Sequence, residues 1–296
     1  FPLEFYSGFM VEKKYNLSRV SVPGWLWDWF KGIIIQTGLI LVIISGIYWL
    51  LRLQPDLWWI WSAIGITILM IFLTALFPVL LMPLFFKFEP LPDGELRQRL
   101  FNLAERIGTR VRGVYIWKLG DKSAKANAAV TGWGSTRRII ISDTLIESNT
   151  TDEIEVVMAH ELGHQVNGDI WKMMFVQTFL IFISLFFIHL AMISWIDLFN
   201  IRSIDDIAGL PLIVVVGGLV SLIALPISNW LSRRAENEAD LYALNLTGMK
   251  NQFISAMLKL GEQNLSRKTQ NPVIEFLFHS HPSTQRRIDK AKVWHK

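Results

Sequence analysis

A five-residue stretch near the middle of the chain, His160-Glu161-Leu162-Gly163-His164, holds the residue types needed for metal-assisted hydrolysis. Residues four positions apart lie on one face of a helix, so His160 and His164 can bind the same metal ion. Two histidines at this spacing are zinc ligands in metalloproteases, where the glutamate between them is the general base. The motif therefore predicts zinc-dependent hydrolysis of a peptide bond, with Glu161 as the catalytic base.

The residues on either side of this motif have the pattern of a helix. Thr150-Thr151-Asp152-Glu153 has the form of a capping box, which marks a helix start. Apolar residues then recur at helical spacing, and Asn167-Gly168 is a typical helix stop. The alternative, two histidines on an ordinary polar helix face, is disfavoured because this is the context that the metal-binding motif requires.

Two histidines leave a catalytic zinc short of one further protein ligand. Carboxylates are available in the segment Ser232–Asp240, where Glu236 and Asp240 share a helix face and Glu238 points away from it. This spacing favours Glu236 as the third ligand and Asp240 as a group that orients a ligand histidine. A solvated acidic turn is the alternative, since charge runs are commonly exposed faces.

Long apolar runs flank the motif on both sides. Hydrophobic residues make up 52% of the chain, and each uncharged run is longer than the roughly 18 residues needed to cross a bilayer. Several runs of this length disfavour the alternative of buried helices in a large soluble enzyme. We therefore expect a multi-pass integral membrane protein in contact with the lipid bilayer. The runs are Gly32–Leu51, Leu57–Phe86, Met173–Ile196 and Leu210–Leu231.

The distribution of basic residues predicts the orientation in the membrane. The short connections 52–56 and 197–209 contain only Arg52 and Arg202, and the other basic residues lie on the opposite side. The positive-inside rule then places the N-terminal segment, the histidine motif and the C-terminus in the cytoplasm. The membrane would be the cell membrane of a prokaryote or the endoplasmic reticulum of a eukaryote.

The net charge of +4 does not indicate a nucleic-acid partner, because the basic excess flanks the apolar runs and no nucleic-acid motif accompanies it. The chain has no cysteine, which excludes disulfides and thiolate zinc ligands. His189 lies inside the third apolar run, where we expect a hydrogen bond between packed helices.

The predicted fold is a mainly α-helical integral membrane protein, a multi-span helical bundle with a zincin-like α+β catalytic domain assembled from two soluble segments. The first soluble segment is predicted to hold a helix capped by Asp93, a strand over Val111–Lys118 and a β-hairpin of Asn127–Trp133 with Arg137–Ser142. Pro78 and Pro83 predict a disturbed second span. The predicted boundaries are 1–31 for a cytoplasmic N-terminal segment, 32–86 for two spans, 87–172 for the catalytic segment, 173–231 for two more spans, and 232–296 for the segment with the third ligand.

Stretches along nearly the whole chain resemble the membrane-embedded zinc endopeptidases that include the type I CAAX prenyl protease and the heat-shock membrane protease. The histidine motif, a pair of spans and Ser232–Asp240 carry the general resemblance. Further stretches favour the CAAX prenyl protease branch, while the heat-shock group, which would act in membrane-protein quality control, is the alternative. These stretches are Phe5–Phe9 with Glu12 and Leu17-Ser18, Phe88–Leu96, and Asn127-Ala128 with Gly132 before Arg138-Ile139.

The resemblance implies one zinc ion held by His160, His164 and Glu236, with Glu161 catalytic and Asp240 supporting the ligands. His281-Pro282-Ser283 and Arg287 are similar to the His-Pro motif and arginine with which the family stabilises the tetrahedral oxyanion; Ser283 stands where the family more often has a second proline. Type I CAAX proteases have seven spans, whereas four are visible here. Because the chain begins Phe1-Pro2 without an initiator methionine, we expect that upstream spans are absent from it.

The expected substrate is a peptide or protein that is membrane-associated or lipidated. It would lie extended beside the strand Asn127–Trp133, with Asn127 and Ala128 contacting its main chain. A turn or strand-edge role for Asn127 is an equal alternative. A non-catalytic membrane scaffold or chaperone with structural zinc is the alternative from another class, and Glu161 argues against it because a structural site needs no base.

Overall fold

The computed structural model describes residues 1–295, apart from the side chain of Ser135, and forms two compact units. The first, here called the sheet unit, combines Phe1–Asp28, Ala75–Ile170 and the described part of the chain from Ser232 onward. The second, here called the span unit, combines Trp29–Thr74 and Trp171–Leu231. Each unit is therefore built from segments that are far apart in sequence.

Helices account for most of both units, and a small sheet belongs to the sheet unit. The strands are β1 (Phe88–Pro90), β2 (Gly113–Trp117), β3 (Ala128–Thr131) and β4 (Arg138–Ser142). The α-helices are α1 (Pro2–Phe5), α2 (Glu12–Lys14), α3 (Val22–Leu53), α4 (Trp58–Leu76), α5 (Glu95–Arg106), α6 (Asp143–Ser148), α7 (Thr151–Asn167), α8 (Asp169–Trp195), α9 (Leu210–Thr247), α10 (Lys250–Gln263), α11 (Pro272–Phe278) and α12 (Thr284–Val293).

Four helical segments within residues 1–295 are long and apolar enough to cross a membrane. They correspond to the four apolar runs of the sequence and confirm the prediction of a mainly helical, multi-span protein. At most 22% of the most apolar stretch of any of these segments is buried, as expected for side chains that face lipid. The segments are Val22–Leu53, Trp58–Leu84, Asp169–Trp195 and Ile207–Thr247.

The second span changes helix type near its end. The regular α-helix stops at Leu76 and continues as a π-helix over Phe77–Leu81 and a 3-10 helix over Met82–Leu84. Pro78 and Pro83 lie in these two segments and lack the N–H that the α-helical hydrogen bond requires. The predicted disturbance at the two prolines is thus present.

Aromatic and aliphatic side chains form the core of the span unit. Leu51, Trp58 and Met192 are fully buried there. The indole Nε1 of Trp58 donates to Nδ1 of His189 at 3.1 Å, and the ring of Trp59 stacks on the same histidine. The hydrogen bond between helices that we expected for His189 is confirmed.

The sheet has the strand order β1-β2-β4-β3, with β2 parallel to β4 and the other two pairs antiparallel. The predicted strand and β-hairpin are both present, as β2 and as β3 with β4. Alternate residues of β4, including Ile139 and Ile141, are fully buried in the core of the sheet unit together with residues of α7. Because β3 is at the end of the strand order, one of its main-chain edges is not paired within the sheet.

The helix of the histidine motif, α7, begins and ends as its sequence predicts. The hydroxyl of Thr150 accepts from the N–H of Glu153 at 3.3 Å, and the Glu153 carboxylate accepts from the N–H of Thr150 at 2.7 Å. Gly168 ends the helix in the left-handed conformation, with φ of 68°. The two caps fix the helix register and therefore the face on which the histidines lie.

The start of α5 differs from the prediction. We expected Asp93 to cap this helix, but the N-cap residue is Gly94 and no side chain caps it. Asp93 instead forms an ion pair with Arg97, four residues along. Asp93 precedes the cap position by one residue, where a carboxylate interacts with a basic residue of the first turn better than with the helix N–H groups.

Helix α9 is continuous over 38 residues, with Pro226 inside it. The fourth apolar run and the acidic segment that carries Glu236 and Asp240 are therefore parts of one helix. The boundary predicted between residues 231 and 232 is a change of composition and not a break in secondary structure.

Candidate metal centre and active site

Helices α7 and α9 bring the three predicted metal ligands together. Ligand atoms of His160, His164 and Glu236 all lie within 4.8 Å of one another. One oxygen of the Glu236 carboxylate is 3.5 Å from Nε2 of His160, and the other is 3.5 Å from Nε2 of His164. The three side chains thus point their free ligand atoms at a common region.

The remaining ring nitrogen of each histidine contacts an aspartate. Nδ1 of His160 is 2.9 Å from Oδ1 of Asp240, and Nδ1 of His164 is 2.8 Å from Oδ2 of Asp169. A carboxylate on Nδ1 fixes the ring orientation and leaves Nε2 available as a ligand atom. Asp240 was predicted to lie here from its helix face.

Sequence reasoning missed Asp169. It is buried, and as the first residue of α8 it follows the left-handed Gly168 that ends the motif helix. The only signal in the sequence is an acidic residue directly after the predicted helix stop, five residues beyond His164. An acidic first residue is ordinary at a helix start, so this signal does not distinguish a histidine partner from a helix-dipole contact.

The donor set fits a divalent cation. It offers two imidazole nitrogens and one carboxylate from a chain that has no cysteine, and nitrogen and oxygen donors of this kind are found in catalytic sites that keep one position open. Buried carboxylates on the outer ring nitrogens increase the basicity of the ligands. The residues present therefore suit a metal ion of the kind that the motif predicts.

Titration of the two central residues is shifted by this environment. Burial would lower the pKa of His160, but its hydrogen bonds to Asp240 and Glu236 outweigh burial and raise that pKa to about 9. Burial raises the pKa of Glu161 above its ordinary value, although the nearby His160 and His164 oppose this effect. A carboxylate with a raised pKa is a stronger base, which suits proton transfer near neutral pH.

A cavity of about 490 Å³ in the sheet unit adjoins these residues. All of the predicted catalytic and substrate-binding residues line it. They are Glu161, His281, Arg287, Asn127 and Ala128.

His281 and Arg287 reach the third ligand from the C-terminal segment but differ in exposure. Nδ1 of His281 lies 3.0 Å from Glu236, while 66% of the His281 side chain is exposed. Arg287 is largely buried and bonds both oxygens of Asp240, from Nε at 2.8 Å and from Nη2 at 2.5 Å. Its Nη1 is 3.8 Å from Glu236. The His281 ring is thus exposed on the cavity although its Nδ1 contacts Glu236, whereas the buried Arg287 is bonded to Asp240.

The loop that carries His281 is attached to α9 by a buried arginine that sequence reasoning missed. Arg233 donates to the carbonyl of Glu275 at 2.8 Å, to that of Phe276 at 3.4 Å, and to that of His279. These carbonyls lie at the end of α11, where helix carbonyls commonly lack main-chain partners, although that of Glu275 also accepts from the N–H of His279 at 3.2 Å. One side chain therefore connects the loop to the helix turn that precedes Glu236.

Asn127 has both a structural contact and a place on the cavity. Its N–H donates to the hydroxyl of Ser142 at 2.9 Å, and its carbonyl accepts from the N–H of Ser142 at 2.9 Å. Its side-chain oxygen accepts from the N–H of Ala128 at 2.9 Å. The strand-edge role that we considered for Asn127 is present, and it does not exclude a contact with substrate.

Glu238 lies away from the cluster, as its helix phase predicts. Its carboxylate accepts from Nε of Arg234 at 2.9 Å on an exposed face of α9.

Known protein families match both the N-terminal part and the remainder of the chain. Residues 90–295 match peptidase family M48, and residues 1–87 match the family described as CAAX prenyl protease N-terminal, five membrane helices. CAAX prenyl protease 1 of Saccharomyces cerevisiae is 30% identical over an alignment that covers 97% of this chain and 67% of that protein. YhfN of Bacillus subtilis, described as an uncharacterized metalloprotease, is 27% identical over 98% of this chain and 69% of its own length.

The fold is also similar to a solved structure. The crystal structure of S. mikatae Ste24p superimposes with a TM-score of 0.90 at 27% identity, over 99% of this chain and 72% of that one. By these matches the chain is an integral-membrane metalloprotease, and it contains the spans, the sheet and a group of side chains that could hold a metal ion. The chain belongs to peptidase family M48.

Proposed function

We propose that this protein is a zinc endopeptidase that cuts lipidated or otherwise membrane-anchored peptides at the cytoplasmic face of its membrane. The observation that carries the proposal is the placement of Glu161, together with His160 and Glu236 of the proposed ligand set, on a cavity next to the open edge of β3. A metal site that only stabilised the fold would need neither a general base nor a cavity beside a free strand.

His160, His164 and Glu236 would hold the zinc ion. A zinc ion held there would act as a Lewis acid, which would polarise the scissile carbonyl and lower the pKa of a bound water toward about 7. Asp240 and Asp169 would keep the two imidazole rings in the ligand orientation through Nδ1.

Glu161 would act as the general base and then as the general acid. Its raised pKa allows the carboxylate to take a proton from the attacking water and return it to the leaving amine. Its position next to His160 in the chain keeps it on the wall of the cavity that the substrate carbonyl must enter.

His281 is the candidate for contact with the oxyanion of the tetrahedral intermediate. It is exposed to the cavity and lies within hydrogen-bond distance of the third ligand. Arg287 was predicted for the same role, but two of its nitrogens bind Asp240. We therefore propose that Arg287 chiefly holds Asp240 against His160.

The main chain of the substrate would pair with the edge of β3. Peptides that add a strand to a sheet edge gain main-chain hydrogen bonds whatever their sequence. Asn127 and Ala128 lie at the start of this edge and on the cavity, so both would contact the substrate beside the scissile bond.

The spans and the relatives support the proposed substrate class. Cleaving a soluble peptide requires no spans, whereas a protein with four candidate spans can bind a lipid anchor or an apolar segment. The relative in Saccharomyces cerevisiae is named a CAAX prenyl protease, and CAAX cysteines are the sites of prenylation. A prenylated peptide is therefore the substrate that we propose to test first.

The decisive experiment compares the purified protein with its Glu161→Gln variant. Both are expected to bind one zinc ion, because the ligands are unchanged, and only the protein with Glu161 is expected to cut a prenylated peptide. The loss expected for removing a general base is about 10²- to 10⁴-fold in kcat. A zinc-loaded Glu161→Gln protein with full activity would overturn the mechanism.

The orientation has its own test, helped by the absence of cysteine from the chain. Single cysteines introduced at the exposed positions Arg110 and Arg202 would be labelled in sealed cells with an impermeant reagent. We expect labelling only at position 202. Labelling at position 110 would contradict a cytoplasmic active site.

A further inference from the structure

The main chain immediately before β3 is bound along one side by the end of α10. The carbonyl of Ala124 accepts from Nε2 of Gln263 at 2.9 Å. Two residues later, Ala126 contacts the side chain of Asn264, the residue that follows α10. The main-chain groups of Ala124 and Ala126 are thus hydrogen-bonded by two adjacent side chains, Gln263 and Asn264.

The residues between them are bonded on the opposite side. The carbonyl of Lys125 accepts from the hydroxyl of Thr144 at 2.7 Å, and that of Asn127 accepts from the N–H of Ser142 at 2.9 Å. Such alternation is that of an extended strand, whose successive main-chain groups point to opposite sides. The outer edge of β3 therefore continues upstream through Ala126.

Asn264 occupies this upstream edge as a neighbouring strand would. Its side-chain oxygen accepts from the N–H of Ala126 at 3.0 Å, and its Nδ2 donates to the carbonyl of Ala126 at 3.2 Å. A carboxamide has the donor and acceptor of a peptide group, so it makes the pair of bonds that an added strand would make. A substrate cannot use Ala126 while Asn264 is bound to it.

Further along the edge lies a short open window. The N–H of Ala128 is taken by the side chain of Asn127 at 2.9 Å, and the carbonyl of Val130 has a long contact of 3.5 Å with Gln165. Between them, the carbonyl of Ala128 and the N–H of Val130 have no hydrogen-bond partner within residues 1–295. They are the main-chain groups of β3 that an extended peptide can use without displacing another contact.

We infer that Asn264 is a specificity-determining residue that occupies the strand-pairing position at Ala126 and confines main-chain recognition of substrate to the window from Ala128 to Val130. The inference rests on the proposed function, in which substrate pairs with β3. Asn264 lines the same cavity as Glu161, so this limit acts within the site. A peptide that extends past Ala128 toward Ala126 must leave the strand edge there. Its added residues then form no further main-chain hydrogen bonds with the strand.

The test uses two variants that lose the same hydrogen bonds but differ in volume. Asn264→Ala removes the side chain from the edge, whereas Asn264→Leu keeps the edge filled. Two series of peptides are used. One series carries up to three extra residues before the scissile bond, and the other carries up to three extra residues after it. Affinities for these peptides are measured by fluorescence anisotropy in the zinc-loaded Glu161→Gln background, which separates binding from cleavage. Glu262→Gln, an exposed neighbour that contacts Lys268, is the control.

In one of the two series we expect Asn264→Ala to bind the longest peptide about tenfold more tightly than the shortest, the factor for one or two added peptide hydrogen bonds. Peptide affinity should not increase with peptide length in the Asn264→Leu protein, in the Glu262→Gln protein or in the protein that keeps Asn264. In the active background, the same change should lower KM for long peptides with little change in kcat. The inference is overturned if Asn264→Ala shows no length dependence, or if Asn264→Leu shows the same one. Failure of the proposed function would be seen separately, as cleavage by the Glu161→Gln protein.

Discussion

Oδ2 of Asp169 lies 2.8 Å from Nδ1 of His164, although the two residues belong to different helices separated by Gly168. A left-handed residue ends the motif helix, and the first residue of the next helix contacts the second histidine of the motif. The helix that begins at Asp169 is a candidate membrane span. The orientation of His164 is therefore linked through a single turn to the start of that span.

We predict that Asp169→Asn weakens zinc binding by about ten- to a hundredfold, because the amide cannot orient or polarise the imidazole as a carboxylate does. Competition with a chromophoric chelator measures this change. Asp152→Asn is the matched control, since Asp152 lies at the start of α7 and pairs with Arg99. Equal zinc affinity in the Asp169→Asn and Asp152→Asn proteins would show that the contact has no influence on the ligand.

The two adjacent arginines of α9 offer a second matched comparison. Arg233 is buried and binds three carbonyls at the end of α11, while Arg234 is exposed and pairs with Glu238. We predict that Arg233→Gln lowers kcat by about ten- to a hundredfold, because a small displacement of His281 misplaces a group at the reacting centre. Arg234→Gln should stay within about twofold of the unmodified protein.

The measurement combines kcat with hydrogen exchange of residues 279–283. Zinc content should be unchanged in both variants, because neither arginine is a ligand. If Arg233 acts through His281, combining Arg233→Gln with His281→Ala should be no worse than His281→Ala alone. Additive losses, or unchanged exchange in the loop, would contradict this role for Arg233.

Parts of the site were predictable because they depend on local spacing. The capping box fixes the phase of α7, and helical periodicity places Glu236 and Asp240 on one face. The partners of Arg233 and Arg287 were not predictable, because their contacts join segments far apart in sequence. No pattern near Arg233 indicates that it will meet carbonyls some 42 to 46 residues away. The prediction that Asp93 caps α5 was wrong for a local reason. The helix starts one residue later than the prediction required, so Asp93 pairs with Arg97 and does not cap the helix.

Glu153 at the start of α7 gives the fold a predictable dependence on pH. Burial would raise the pKa of its carboxyl, but hydrogen bonds from Lys259, Ser255 and the N–H of Thr150 lower that pKa below its ordinary value. A lowered pKa in the folded state stabilises the fold above the unfolded value of about 4.3, and the stabilisation is lost as pH falls through the folded value.

Thermal unfolding in detergent tests this linkage. It is measured at intervals of about half a pH unit between pH 3 and pH 7. The Tm of Glu153→Gln should lie below that of the unmodified protein at neutral pH, and the gap should close as the pH falls below about 4. Glu147→Gln, an exposed position before the same helix, controls for the loss of one charge. A gap that is the same at both ends of the pH range would show that packing, and not the charge of Glu153, stabilises the cap.

A hydrolytic site of this kind is joined here to candidate membrane spans, although the chemistry of the donor set requires no bilayer. We therefore expect the spans to act on the substrate. An isoprenoid or apolar anchor that leaves water gains roughly 0.8 kcal/mol per buried methylene, and an otherwise identical soluble peptide gains none. Binding energy from such a remote group can be used at the reacting centre, so kcat should rise together with affinity.

We therefore predict that a peptide with a prenyl chain is cut with a kcat/KM at least about a hundredfold above that of the same peptide without it, the factor for burying only three to four methylenes. Both peptides are assayed with protein reconstituted in the same lipid vesicles, and a peptide with a straight alkyl chain of equal length separates isoprenoid recognition from simple partitioning. Equal kcat/KM for lipidated and unlipidated peptides would mean that the spans do not bind the anchor. The site would then act on any extended peptide that can reach the edge between Ala128 and Val130.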